Sequence, residues 1–277
     1  MRGGFSNKDG RKMSLGFPSG KKGQITIFVI IAIVIVAAII IFFTATDVGK
    51  GITDTIIGSE YDVQSSLEQC IEDNAGIDEK INLIMSQGGV YDPEFYYTFD
   101  SEKLTYLCYT GSYFETCVMQ SPMLVSSIGR EIKNQIEGDV KSCLDDIEKD
   151  LRRKGYRVSI SGFELDVELI PGDILIDIET SLSATKGNEN KGFDGIQVKK
   201  KSRAYELAMI AISILNFEAR FGDSEVTNYM LQYPEIKVLK LKQSDGTTLY
   251  FVSYRDTEEK ISFASRSAVL PTGYTIA

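Results

Sequence analysis

The stretch ITIFVIIAIVIVAAIIIFFTA, Ile25–Ala45, carries no charged residue. At roughly 1.5 Å per residue it makes a helix of about 30 Å, the thickness of a bilayer core. Isoleucine, valine, alanine and phenylalanine fill it on every side, so it has no polar stripe to turn toward water. The reading is a transmembrane helix over residues 25–45, and the rest of the chain is organised around it.

The charge on either side gives the run a direction. Arg2, Lys8, Arg11, Lys12, Lys21 and Lys22 precede it against the single acid Asp9, a balance of +5. The whole chain carries −9, so the part after residue 24 carries −14. The positive-inside rule places the N-terminus in the cytoplasm and the large acidic part outside. A cleaved secretory signal also starts basic, but its apolar core runs to only about 7–15 residues.

Residues 1–24 then form a basic cytoplasmic tail or leader, within reach of anionic lipid. Residues 46–59, with Gly49, Gly51 and Gly58, form a short neck, and residues 60–277 form an extracytoplasmic domain. All four cysteines, Cys70, Cys108, Cys117 and Cys143, fall in that outer domain, where oxidation is permitted. The chain has no histidine and no CxxC pair, so disulfides are favoured over a metal site. Four cysteines allow three connectivities. A local Cys108–Cys117 clasp around Thr110, Gly111 and Ser112 suits a turn, and Cys70 with Cys143 would join two helices.

Periodicity makes the outer domain α+β, with amphipathic helices on antiparallel sheet. Val63, Leu67, Cys70, Ile71, Ile77, Ile81 and Ile84 recur at helical spacing over Glu60–Gln87, with a break expected at Asn74–Asp78 and an end at Gly88 and Gly89. Leu124–Lys154 predicts a second helix, broken at Gly138. Ala204–Phe221 predicts a third, whose apolar core Leu207–Leu215 is too short to span a bilayer. Strands are predicted at Leu104–Tyr109, Tyr156–Ile160, Phe163–Ile170, Ile174–Ser183, Ile196–Lys199, Lys237–Leu241, Thr248–Tyr254 and Lys260–Ala264. Gly162 and Pro171–Gly172 are read as turns, Lys186–Gly195 as a loop, and Asp245–Gly246 as a hairpin turn.

The absence of histidine excludes imidazole-based hydrolase triads, dyads and the HExxH helix. No phosphate-binding glycine loop, dinucleotide fingerprint or EF-hand loop occurs, so no cofactor and no metal is expected. The carboxylate pairs Asp145–Asp146 and Asp166–Glu168 fit solvated faces of a helix and a strand better than general acid–base work. Lys199, Lys200, Lys201 and Arg203 form the main outer basic cluster, but Asp194 and Glu206 flank it, so nucleic acid is not an expected partner. The aromatic stretch Tyr91, Phe95, Tyr96, Tyr97 and Phe99 suits core packing first and a recognition surface second.

The junction Lys21-Lys22-Gly23-Gln24, running straight into the apolar helix, resembles the class III signal-anchor of archaeal type IV pilin-like proteins. The resemblance covers about twenty-five residues and implies cleavage by a prepilin-type peptidase between Gly23 and Gln24. Filament-forming members carry a glutamate five positions into the mature chain; here that position is Phe28, which suits a tether better than a polymerisation element. Gln24–Phe28, the helix with Cys70 followed by Gln87-Gly88-Gly89-Val90, and Lys154-Gly155-Tyr156 together are similar to a set of archaeal membrane-anchored surface proteins. That similarity implies an extracytoplasmic domain and a Cys70–Cys143 link, and it supplies no activity.

Function is thus expected to be non-enzymatic: a single-pass cell-membrane protein whose outer domain has a structural or interaction role. Its partners would be the lipid bilayer, another surface protein or cell, or a further copy of itself. The alternatives are a pilin-like filament subunit processed after Gly23, and an enzyme acting on the envelope.

Overall fold

In the computed structural model the described residues are 62–271 and Ile35, which is helical. The remainder of the 25–45 run, the neck and the Gly23–Gln24 junction lie outside the described residues. Among the described residues no helix is long and apolar enough to cross a membrane. The chain divides at Tyr61 and Asp62, and the second unit is α+β with mostly antiparallel strands.

Two short helices open the domain. The Asp62 side chain accepts the Gln64 amide at 3.1 Å and caps α1, Val63–Glu72, which buries Val63, Leu67 and Ile71 one turn apart. Asn74 repeats the device for α2, Ala75–Ser86, accepting from the Gly76 amide at 3.0 Å. The predicted break therefore exists because Asn74 is a cap, while Gly76 stays inside the helix. Gly88 and Gly89, at φ 81° and 92°, turn the chain out of α2.

Strands β1, Tyr96–Phe99, β2, Glu102–Tyr109, and the short β3, Val118–Met119, come next. They lead into α3, Leu124–Arg153, thirty residues without a break. The break expected at Gly138 does not occur. A mid-helix glycine costs about 1 kcal/mol against alanine. Ile128, Ile132, Ile136, Val140, Leu144, Ile147 and Leu151 are all buried along one stripe, and each is worth about 1.5–3 kcal/mol. Packing therefore outweighs propensity.

The next three strands form a separate antiparallel sheet in the order β4, Arg157–Ile170, β5, Asp173–Lys186, and β6, Glu189–Lys201. Two expectations are corrected here. Gly162 is not a turn: at φ 71° it sits in a bulge within one continuous strand, where the register shifts between Ser161 and Glu164. The segment 186–195 is not a loop either. Lys186 pairs with Glu189 around the two residues Gly187 and Asn188, and the strand runs on from there. Helix α3 lies along β4 so closely that a Cβ on Gly129 would stand 2.6 Å from the Val167 carbonyl oxygen. The helix thereby covers the edge of that strand.

Helix α4, Ala204–Phe221, is followed by the short α5, Thr227–Gln232, and by strands β7, Ile236–Lys242, β8, Thr247–Tyr254, and β9, Lys260–Arg266. The last three form the predicted meander, but they do not stand alone. β9 pairs in parallel with β2, giving the order β1-β2-β9-β8-β7, with β3 added on β2. The sheet is mixed, not purely antiparallel as expected, and the parallel pair ties the beginning of the domain to its end. Leu207, Ala208, Ala211, Ile214 and Leu215 bury one side of α4.

Candidate functional site

Both disulfides fasten elements that the sheets alone would leave loosely joined. Cys70 of α1 bonds Cys143 of α3 across 73 residues of sequence, with Cα atoms 5.9 Å apart. Cys108 of β2 bonds Cys117 across 9 residues, with Cα atoms 5.4 Å apart. The second clasp is reinforced from the far end of the chain. The Cys117 amide donates to Ser267 Oγ at 2.9 Å, the Ala268 amide to the Glu115 carbonyl at 2.8 Å, and the Phe114 amide to the Val269 carbonyl at 2.9 Å.

The charged candidates separate from one another in space. Asp145 and Asp146 are exposed on α3, and Asp166 and Glu168 on the outer face of β4. That outer face is acidic by construction: Glu164 stands directly opposite Glu179, and Asp166 opposite Asp177. Like charges in such positions are mutually destabilising. Gln197 Nε2 relieves Asp177 at 2.7 Å, and Lys133 Nζ approaches Asp166 at 3.9 Å. No group of three acidic or cysteine side chains among the described residues is disposed to hold a metal ion.

The basic cluster disperses in the same way. Lys200 is buried, with Nζ 3.0 Å from Asp78 Oδ1 and 3.2 Å from the Glu72 carbonyl, where it neutralises the C-terminal end of α1. Lys201 pairs with Asp173 at 2.8 Å, and Arg203 with Glu206 at 3.6 Å.

The aromatic stretch is split by the alternation of β1. Tyr97 and Phe99 pack on a cluster built from Leu104, Tyr106, Leu249 and Ala264, whereas Tyr96 faces solvent. Phe95 packs at a tilt against Tyr106 and edge-on against Tyr109, with ring centres 4.8 Å apart in each pair.

One deeply buried acid was not among the sequence candidates. Glu218 is 1 % exposed. Its carboxylate accepts from the Tyr250 hydroxyl, from Ser265 Oγ at 3.1 Å and from the Ser224 amide at 3.2 Å. Ser267 Oγ also donates to its carbonyl at 2.8 Å. Burial pushes the Glu218 pKa up, while the Tyr250 and Ser265 hydrogen bonds pull the other way. Burial likewise raises the Tyr250 hydroxyl, with the Glu218 charge adding to it. The signal was present in the spacing: Glu218 follows Leu207, Ala211 and Ile214 on the apolar stripe of α4, where an acid requires partners.

Glu218 is a hub for packing. It joins α4 to β8, to β9 and to the turn before α5, and through Ser265 it reaches Cys117, whose Sγ lies 3.8 Å from Ser265 Oγ. A nearby groove of ≈ 390 Å³ is lined by Phe221, Asp223, Lys242, Ser267 and Leu270, and Glu218 does not open into it. A further groove, ≈ 630 Å³, lies between α3, β4 and α4 and is lined by Met123, Arg130, Lys133, Asp166, Glu168 and Tyr205. Glu218, Lys200, Lys201 and Arg203 thus serve pairing and packing. Comparison with known proteins adds no identity: no family model matches the chain, and no match was found among curated proteins or solved structures.

Proposed function

We propose that the chain is a non-enzymatic, single-pass membrane protein whose α+β domain stands outside the cytoplasm and serves a structural or interaction role. One observation carries the reading. All four cysteines of the chain are used in two disulfides, one bracing the helical layer and one bracing the mixed sheet. Such bonds persist in oxidising compartments, and the charge balance about Ile25–Ala45 supports the same side for the domain. The dispersal of the carboxylates and the basic cluster supports a scaffold in preference to an envelope-acting enzyme.

Extraction with alkaline carbonate tests the anchor. The full chain is expected to stay with the membrane pellet, and deletion of residues 25–45 is expected to release it. Release of the intact chain would overturn the reading. The Lys21-Lys22-Gly23-Gln24 junction favours a second reading, a pilin-like subunit processed by a prepilin-type peptidase. Mass spectrometry of the mature N-terminus separates the two at their first step: a chain beginning at Gln24 is required by the filament reading, and an intact residue 1 defeats it.

A further inference from the structure

We draw no further inference here: the strongest candidate, the partly exposed apolar face of the mixed sheet on which Tyr97, Phe99, Leu239 and Phe251 lie, carries nothing because nothing in the structure shows what covers it.

Discussion

Replacing Cys70 and Cys143 together by alanine is expected to cost the domain clearly more stability than replacing Cys108 and Cys117. In the chain-entropy account a cross-link stabilises by restricting the unfolded state, and its effect grows with the logarithm of the loop it closes. The two loops differ in length, at sequence separations of 73 and 9. The longer gives about 4.4 kcal/mol and the shorter about 2.6 kcal/mol at room temperature. Both replacements remove the same atoms, and Cys143, Cys108 and Cys117 are all buried, so losses in native packing largely cancel in the comparison. The expected difference is about 2 kcal/mol, or about 1 M in urea midpoint if the slope is near 2 kcal/mol per M. The chain has no tryptophan, so urea unfolding is best followed by far-ultraviolet circular dichroism. The denaturant slope should also rise more for the Cys70/Cys143 pair, because its unfolded state expands further. A short-loop pair that costs as much as the long-loop pair would refute the reasoning.

Three further outcomes follow from particular contacts. Burial raises the Glu218 pKa in the fold, so its contribution to stability is present below about pH 4 and is lost as pH climbs through the folded value. Glu218→Gln should therefore gain on the parent as pH climbs above about 4, and a difference that stays constant across pH-resolved urea titrations would contradict this. On α3, Gly129→Ala drives a methyl against the Val167 carbonyl and should cost about 1–3 kcal/mol, while Gly138→Ala, with nothing nearby, should gain about 1 kcal/mol; equal effects in thermal or urea unfolding would show that α3 does not lie against β4 as described. Glu179→Lys places a cation opposite Glu164 and should stabilise by about 0.5 kcal/mol, with the gain shrinking in salt; no change at low salt would argue against that register.

The elements legible in the sequence were those whose local pattern and tertiary packing agree. Ala204–Phe221 is one, because its apolar stripe and the Gly222 end, at φ 78°, coincide with the helix. Gly162 misled for a physical reason. The bulge shifts the alternation from Val158 and Ile160 to Leu165, Val167 and Leu169, and a change of phase at a glycine looks like a turn in one dimension. The segment around Lys186–Gly195 misled because both faces of that hairpin are largely polar and solvated, so the strands carry no alternation to find. The parallel pairing of β2 with β9 spans more than 150 residues, and no local signal encodes it. Glu218 was detectable as an acid on an apolar stripe, but its partners Tyr250 and Ser265 come from strands that only the fold brings together.

The central claim is that the disulfide-braced domain stands outside the cytoplasm while the chain remains in the membrane. Labelling of intact cells with a membrane-impermeant maleimide tests it most directly, using the full chain with Ser183→Cys as its sole free thiol. The account predicts that Ser183→Cys is labelled as fully in intact cells as in permeabilised ones. Labelling that appears only after permeabilisation would contradict it.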